Sequence, residues 1–219
     1  MTDGATAQAR AYFEDFAEAY DEAARESGWL LNGRLADALA GVAAGWAPAR
    51  CALDLACGTG TTLAELERVL PDATLVGVDI AAAMVAIASA RVPGARCVRA
   101  DLREFVEETD QHFDVVTAIG GFEFTPNLPG LLASVTRIVR TGGHLVFTYE
   151  PVIDGWGPQS ARVETNLGSN GLELTTFRWE PAEVADALGG WTVLSDQLLA
   201  AYRRDDVPTV YGWLHVRLP

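Results

Sequence analysis

The chain begins with two stretches in which apolar residues recur every three or four positions, the period of an amphipathic helix. The first runs from Thr6 to Glu26, and the pattern predicts that this helix ends at Gly28. The second runs from Leu31 to Ala44. The sequence therefore predicts a pair of helices ahead of the rest of the fold.

From residue 51 onward, short apolar runs alternate with longer amphipathic stretches, which predicts strands separated by helices. The strand-like runs are Cys51–Ala56, Thr74–Val78, Arg96–Ala100, Phe113–Ile119 and His144–Tyr149. The stretches between them are helical at Thr61–Leu70, Ala81–Ala90 and about Pro129–Val139, with a short acidic segment after Ala100. Repeated strand–helix–strand units indicate right-handed crossovers and a parallel sheet covered on both faces, a doubly wound α/β fold.

The remainder of the chain departs from this alternation. Pro151–Ser169 is rich in Gly, Pro and polar residues, which predicts a loop. A strand-like run and a helical stretch follow it, at Leu172–Arg178 and Pro181–Leu188. The runs Thr192–Tyr202 and Val210–Leu218 are separated by a polar turn and indicate an antiparallel hairpin.

Composition narrows the chemistry that this fold could carry. A length of 219 residues fits one domain. All 16 basic residues are arginine, so a phosphate-loop lysine, a Schiff-base lysine and a kinase lysine are excluded. The formal charge of −14 disfavours nucleic acid and anionic membranes as partners. A neutral or cationic small molecule is the partner that we expect.

The cysteines and the N-terminus give an expectation about the compartment. Cys51, Cys57 and Cys97 lack C-x-x-C spacing, so neither a disulfide framework nor a zinc site is predicted. The sequence also lacks a signal-peptide pattern and an apolar run of about 18 residues. We therefore expect a cytoplasmic protein with reduced thiols and no membrane contact.

A glycine-rich loop marks the candidate ligand site. Gly58 and Gly60 lie between the first predicted strand and the first crossover helix, where doubly wound sheets bind nucleotides. Asp79 ends the second strand, and an acidic residue about 20 positions after such glycines can accept hydrogen bonds from ribose hydroxyls. The two features together predict a ribose-containing ligand, whereas the glycines alone would fit an ordinary tight turn.

A dinucleotide-dependent dehydrogenase is the first alternative class of protein that this glycine-rich loop could indicate. Its fingerprint needs a third Gly or Ala to bring helix and strand together, but Leu63 stands at that position. One sheet already uses most of the chain and leaves little room for a separate catalytic region. Hydride transfer is therefore the weaker hypothesis.

Asp54-Leu-Ala-Cys-Gly-Thr-Gly60 resembles the first motif of the class I S-adenosylmethionine-dependent methyltransferases, with Ala56 in place of its first glycine. Asp79-Ile80 resembles the pair that this family uses for ribose and adenine, and Asp101-Leu102 the pair that it uses for the adenine amino group and ring. The later strands and the final hairpin also resemble the family, so the similarity covers nearly the whole chain.

The resemblance implies an α/β fold with a doubly wound, seven-stranded, mostly parallel Rossmann-like sheet, an antiparallel C-terminal hairpin and an N-terminal helical lid. Residues 1–47 would form the lid and residues 48–219 the core of a single domain. The implied cofactor is S-adenosyl-L-methionine, with S-adenosyl-L-homocysteine as product. The residues implied to bind it are Tyr20, Asp54, Ala56, Cys57, Gly58, Gly60, Asp79, Ile80, Met84, Asp101, Leu102 and Ile119.

The expected activity is methyl transfer to oxygen or nitrogen, less readily carbon, of a small-molecule acceptor, by a monomer or homodimer. No metal is expected, because Gly120-Gly121-Phe122 stands where metal-dependent members place ligands. The signature for nucleic-acid base methylation is likewise missing there. Positioning alone can carry such a displacement, but some acceptors need a base.

Glu123 and Glu150 follow the fourth and fifth predicted strands and are the candidate bases, with ordinary exposed carboxylates as the alternative. The histidines are assigned to surface or packing roles. Six aromatic residues would either wall the acceptor pocket or fill the core: Tyr12, Phe16, Tyr20, Phe122, Phe124 and Trp156. Cys57 is assigned to packing.

Two other functions remain open at this point. The same fold can host a cyclase or isomerase that keeps the cofactor as a structural element, because function depends on the site and not on the fold. The chain could also be a non-catalytic cofactor-binding partner protein.

Overall fold

The computed structural model describes residues 4–27, 34–46, 48–153, 162–168, 170–204 and 207–219. The helices are α1 Gly4–Glu26, α2 Arg34–Ala43, α3 Thr61–Val69, α4 Ala82–Arg91, α5 Leu102–Glu108, α6 Leu128–Ile138 and α7 Pro181–Ala187. The strands are β1 Cys51–Leu55, β2 Thr74–Asp79, β3 Arg96–Arg99, β4 Phe113–Ala118, β5 Val139–Pro151, β6 Val163–Leu167, β7 Glu173–Trp179, β8 Thr192–Arg204 and β9 Val207–Arg217.

Five parallel strands form the centre of the sheet, in the order β3-β2-β1-β4-β5. Strand β9 pairs antiparallel with β5, and β8 pairs antiparallel with β9. The predicted doubly wound, mostly parallel sheet with its antiparallel C-terminal hairpin is confirmed. The order reverses between β1 and β4, which is where ligands bind in sheets of this kind.

The sheet separates two apolar clusters, because alternate side chains of each strand point to opposite faces. Leu53 and Leu55 of β1 pack in one cluster with residues of α6 such as Leu132. Ala52 packs in the other cluster with Leu63 of α3. Burial on both faces explains the near-continuous apolar character of the central strands.

The region predicted as a loop at Pro151–Ser169 differs from that expectation. Strand β5 continues to Pro151, and β6 occupies Val163–Leu167 and pairs antiparallel with β7. Strand β7 confirms the strand-like run predicted at Leu172–Arg178, whereas β6 was not predicted. The two together raise the number of strands from the seven that the resemblance implies to nine. The sequence did not predict β6 because Gly, Pro and Ser residues surround its alternating polar pattern. The strand is stabilised by pairing with β7, which the local sequence does not show. The rest of the predicted loop, 154–161 and 169, lies outside the described residues, as does Gly28.

Helix α1 is fastened to the core by charged side chains. The Glu14 carboxylate accepts hydrogen bonds from the amides of Ala82 (2.6 Å) and Ala83 (3.4 Å), at the start of α4, where no residue of the helix itself supplies a side-chain cap. Asp21 forms an ion pair with Arg91 of α4 and accepts a hydrogen bond from the Thr59 hydroxyl (2.6 Å). These contacts hold α1 across the carboxyl ends of the strands.

A buried pair of histidines lies towards the opposite end of the sheet. His144 Nδ1 and His215 Nε2 are 2.9 Å apart, and Trp46 Nε1 lies 3.4 Å from the same His215 nitrogen. Strand pairing places His144 level with Val115, near the start of β4. Burial lowers the pKa of both rings, and the neighbouring His144 helps to lower that of His215 to about 4. The pair is therefore neutral at pH 7.

This pair predicts a loss of stability in mild acid. An unfolded histidine titrates near pH 6.5, so between about pH 6.5 and 4 the unfolded chain binds more protons than the folded chain, and the free energy of unfolding falls as pH falls. His215→Gln removes the titrating ring and keeps an acceptor for Trp46. Urea unfolding at pH 7 and pH 5 should show a smaller pH dependence for this variant than for the wild-type chain.

The control is His112→Gln, which replaces an exposed histidine. It should keep the wild-type pH dependence. Equal pH dependence in the wild-type chain and His215→Gln would contradict the assignment.

Candidate active site

The loop after β1 has a backbone conformation that glycine favours. Gly58 and Gly60 have φ of 53° and 84°, and α3 begins directly after them without a side-chain cap. A Cβ at Gly60 would lie 2.9 Å from Ala88 Cα, so this position needs glycine for space as well as conformation. The first amides of α3 therefore lack a side-chain acceptor among the described residues. A helix N-terminus of this kind binds polar or anionic ligand groups favourably.

Ala56 is the only non-glycine residue with positive φ in the described part of the chain, at 54°. This conformation costs a residue with a Cβ about 1–2 kcal/mol. Ala56 stands where the resembled motif has its first glycine, and the structure shows that the position retains a glycine-like backbone. A Cβ at Gly121 would lie 2.4 Å from Ala56 Cβ, so glycine at 121 accommodates the alanine methyl group.

Asp79 ties the loop to the end of β2. Its carboxylate accepts hydrogen bonds from the amides of Gly58 and Ala81, both at 2.9 Å, and only 8% of the residue is exposed. Burial raises the pKa of Asp79, and the backbone hydrogen bonds oppose that shift. A carboxylate held in this way fixes the shape of the loop and presents its remaining lone pairs to the cleft.

Asp54 lies beneath the loop. It is 1% exposed and accepts a hydrogen bond from the Thr117 hydroxyl at 2.6 Å, while its other oxygen, Oδ2, has no hydrogen-bond partner among the described residues. Burial raises the pKa of Asp54 to about 7, with a smaller contribution from Asp79. An unpartnered buried carboxylate oxygen is costly unless a ligand or water completes it.

An open cleft of about 1100 Å³ lies above this loop. Ten of the twelve residues predicted to bind cofactor line it: Tyr20, Ala56, Cys57, Gly58, Asp79, Ile80, Met84, Asp101, Leu102 and Ile119. Asp54 and Gly60 lie behind this lining. The sequence analysis missed Thr6 and Ala9 of α1 and the segment 125–127, which also line the cleft. No motif marks them, because they reach the site only through the packing of α1 and α6.

Asp101 caps the N-terminus of α5 and also faces the cleft. Its Oδ1 accepts hydrogen bonds from the amides of Arg103 (2.8 Å) and Glu104 (3.2 Å) and so caps α5. Capping fixes the direction of the carboxylate at the rim of the cleft. Leu102 follows it and presents apolar surface on the same side.

A second cavity of about 1060 Å³ adjoins the first. The two share Phe13, Tyr20, Gly120 and Phe124 in their linings. Tyr12, Phe16 and Tyr211 complete an aromatic wall around the second cavity. The predicted pocket roles of Tyr12, Phe16, Tyr20 and Phe124 therefore agree with their placement. Phe122 instead is fully buried against Phe147, and Trp156 lies outside the described residues.

The two candidate bases are buried carboxylates, not the exposed loop residues of the alternative reading. Glu123 is 2% exposed and lines the second cavity, whereas Glu150 is fully buried and absent from the described linings of both cavities. The Tyr211 hydroxyl lies 2.9 Å from Glu123 Oε1 and 3.2 Å from Glu150 Oε1. Burial, with help from Glu150, raises the pKa of Glu123 to about 8.

Arg178 compensates the charge of Glu150. Its Nε lies 2.9 Å from Glu150 Oε2, and its Nη2 lies 2.6 Å from Glu164 Oε2. The arginine is 3% exposed, so the pair with Glu150 is a buried ion pair. Sequence reasoning missed Tyr211 and Arg178, which reach the site from β9 and β7. Their separation from Glu123 and Glu150 along the chain leaves no local signal.

The remaining predicted chemistry lies elsewhere or does not form a cluster. Cys57 is 6% exposed, and burial raises the pKa of its thiol. In the part of the chain that the structure describes, no group of three or more His, Cys, Asp or Glu side chains could hold a metal ion. None of the described helices is both long and apolar enough to cross a lipid bilayer.

Comparison with known sequences gives the same assignment for the core. Residues 52–143 match the family described as a methyltransferase domain. The trans-aconitate 2-methyltransferase of Deinococcus radiodurans is 36% identical over 94 residues, which are 42% of this chain and 35% of that protein. The phthiotriol/phenolphthiotriol dimycocerosates methyltransferase of Mycobacterium tuberculosis H37Rv is 30% identical over 139 residues, 63% of this chain and 50% of that protein. The chain thus spans a third to a half of the length of these curated relatives.

Solved structures extend the similarity in fold to almost the whole chain. The N-methyltransferase NodS from Bradyrhizobium japonicum WM9, in complex with S-adenosyl-L-homocysteine, has a TM-score of 0.70 at 14% identity, covering 97% of this chain and 99% of that one. An S-adenosylmethionine-bound amino pentose methyltransferase from Micromonospora echinaspora has a TM-score of 0.65 at 20% identity, covering 92% and 97%. Residues 52–143 thus match a methyltransferase domain, and the whole chain shares the fold of these S-adenosylmethionine-dependent methyltransferases.

Proposed function

We propose that the protein transfers a methyl group from S-adenosyl-L-methionine to oxygen or nitrogen of a small molecule and releases S-adenosyl-L-homocysteine. The observation that carries this proposal is the pair of adjoining cavities. One contains the carboxylate of Asp79, which is hydrogen-bonded to the glycine-rich loop, and the other has an aromatic wall with a buried carboxylate, Glu123. A donor and an acceptor held in these two cavities would meet at Tyr20, Gly120 and Phe124.

The residues of the first cleft fit the cofactor. Gly58 lines the cleft and has open space where a Cβ would lie, and the loop backbone takes positive φ at Ala56, Gly58 and Gly60. Asp79 offers acceptor lone pairs for hydroxyl groups, and Asp54 has a buried oxygen without a hydrogen-bond partner among the described residues. Ile80, Met84 and Leu102 supply apolar surface beside these polar groups. This set of donors and acceptors suits a nucleoside joined to an amino acid.

The bound cofactor would supply a methyl group on a positively charged sulfur, an electrophile that needs no metal. The chain's own contribution is to orient and dehydrate the reactants. Phe13 and Tyr20 of helix α1 line both cavities, where they would shield the space between the reactants from water. Glu123 faces the second cavity and is the group that we assign to take a proton from the acceptor. Glu150 acts on Glu123 through charge and through Tyr211.

Cofactor binding provides the first test of this function. Titration calorimetry should detect both S-adenosylmethionine and S-adenosylhomocysteine well below 1 mM, a concentration that corresponds to a binding free energy of only about −4 kcal/mol. Incubation with methyl-labelled cofactor and a metabolite extract, followed by mass spectrometry, should then reveal a labelled product. Binding of neither compound at 1 mM would contradict the proposal.

Replacement of Asp79 provides a sharper test of the site. Asp79→Asn removes the charge and turns one acceptor oxygen into a donor that faces a backbone amide. Loss of charge-assisted hydrogen bonds should weaken both cofactor forms by about 10- to 100-fold, measured by the same calorimetry.

The matched control is Asp114→Asn, at the other end of the sheet. Asp114 also accepts hydrogen bonds from two backbone amides, those of Arg50 (2.7 Å) and Cys51 (2.9 Å), but it faces neither cavity. Its replacement should leave cofactor affinity unchanged. Equal affinities of the wild-type chain and Asp79→Asn would show that Asp79 does not hold the cofactor.

The lid role of α1 gives a third prediction. Asp21→Asn weakens the ion pair with Arg91 and the contact with Thr59, so α1 should detach more often. A partly exposed ion pair contributes about 1 kcal/mol or less, so the cofactor dissociation constant should rise up to about fivefold. Hydrogen exchange of the α1 amides should become faster. Asp15→Asn, an exposed change on the same helix, should alter neither quantity, and unchanged exchange in Asp21→Asn would contradict the assignment.

A further inference from the structure

The wall of the second cavity contains a buried carboxyl group without a cationic partner among the described residues. Among its described lining residues, Glu123 is the only ionisable carboxylate, and neither Arg nor His is present. The chain contains no lysine. No described side chain of this wall therefore supplies a cation to Glu123.

The neighbours of Glu123 do not supply the missing charge. Arg178 contacts Glu150 and Glu164, and no ion pair joins it to Glu123 in the described structure. The Tyr211 hydroxyl has one hydrogen for two nearby carboxylates, those of Glu123 and Glu150. Glu123 Oε2 is buried and has no hydrogen-bond partner among the described residues. A buried carboxylate that lacks an ion-pair partner and a full set of hydrogen bonds is stabilised by a cation or by a proton.

The rest of the cavity wall also suits a cation with an apolar body. The rings of Tyr12, Phe13, Phe16, Tyr20 and Phe124 form a connected set, with centroid separations from 5.2 to 6.3 Å. Aromatic faces attract ammonium groups and cover apolar surface at the same time. Among the described residues of this wall, an anionic ligand would find no cationic partner and would lie beside the Glu123 carboxyl group.

We propose that the acceptor cavity binds a protonated amine, with its ammonium group against Glu123 and its apolar body on the aromatic wall, and that the amine nitrogen is the methyl acceptor. This inference rests on the proposed methyl transfer and narrows its acceptor from oxygen or nitrogen to nitrogen.

The reaction balances through Glu123. The ammonium group gives one proton to the Glu123 carboxylate and becomes a neutral amine with a free electron pair. That pair forms the new N–C bond, while the electrons of the broken S–C bond stay on sulfur and neutralise it. The methylated nitrogen carries the positive charge, and Glu123 later returns its proton to solvent. No oxidant, reductant or metal is needed.

The test compares three amines with their neutral and anionic counterparts. Benzylamine, 2-phenylethylamine and 4-phenylbutylamine are titrated into the protein with saturating S-adenosylhomocysteine, beside the alcohols and carboxylates of the same skeletons. At least one amine should bind about tenfold or more tightly than its alcohol and its carboxylate, because the ammonium gains a charged partner and aromatic contacts. Three amines that bind no better than their counterparts would overturn the inference.

Glu123→Gln tests the residue itself, since it keeps the shape and removes the charge. It should weaken the preferred amine about tenfold or more and leave the matching alcohol unchanged. Glu123→Asp, which keeps the carboxylate, should retain part of the preference for the amine. The control Glu108→Gln makes the same replacement at an exposed site on α5 and should bind both probes as the wild-type chain does. Equal amine affinity in Glu123→Gln and the wild-type chain would overturn the inference.

Proton release gives a readout that a purely structural role of Glu123 would not produce. Because the pKa of Glu123 is raised to about 8, the carboxyl group is largely protonated at pH 7 and should ionise when an ammonium group binds. Calorimetry in buffers of different ionisation enthalpy should therefore show a proton released by the wild-type chain and none by Glu123→Gln. No release by the wild-type chain would argue against the contact.

The two proposals fail in different ways. If S-adenosylhomocysteine does not bind, the methyltransferase function is overturned, while the amine titration without it still reports on the cavity. If S-adenosylhomocysteine binds and the amines show no preference, only the amine inference is overturned.

Discussion

The hydrogen bonds from the Gly58 and Ala81 amides to Asp79 hold the site together. They join the loop after β1 to the end of β2, and so fix the residues of both strands that face the cleft. The loop can meet Asp79 only because its backbone takes positive φ at Ala56, Gly58 and Gly60. Helix α1 depends on the same arrangement, since Thr59 of the loop donates a hydrogen bond to Asp21. Cleft, loop and covering helix thus form one connected unit.

Buried carboxylates determine the electrostatics of this unit. Asp54, Asp79 and Glu123 lie within it, and burial is the main cause of the raised pKa of each. Glu150 has a counter-ion in Arg178, but the first three have no arginine partner in the described structure. Burying anionic groups without cations destabilises a fold unless ligands or protons compensate. Buried carboxylates in a lysine-free, acidic chain are therefore suited to ligands that carry positive charge, such as a sulfonium or an ammonium group.

Sequence reasoning predicted the half of the site that lies within one continuous stretch. The spacing from Gly60 to Asp79 is set by one helix and one strand, and ten of the twelve predicted cofactor residues line the cleft. The acceptor half was harder, because Tyr211 and Glu123 are 88 residues apart and meet only when β9 inserts beside β5. The sequence could place Glu123 and Glu150 after strands, but it could not show that both are buried or which side chains contact them. The β6–β7 hairpin was missed for the same reason, since cross-strand pairing is a tertiary property.

The shared wall between the two cavities couples their occupants. Phe13 and Tyr20 belong to α1, and both cavities lose part of their lining if that helix detaches. The charged side chains that dock α1 contact the cofactor side, at Thr59, Ala82 and Arg91, while Gln8 joins the helix to Glu173 and Thr175 of β7. A ligand that stabilises the loop and α4 therefore also stabilises the acceptor cavity, although it does not touch Glu123. Such coupling is reciprocal. An acceptor bound on the aromatic wall must therefore raise the affinity of the first cleft for its own ligand by the same factor. The order of binding then follows from which cavity is formed more fully in the absence of ligand, and the first cleft, built mainly on strand ends and the glycine loop, depends less on α1.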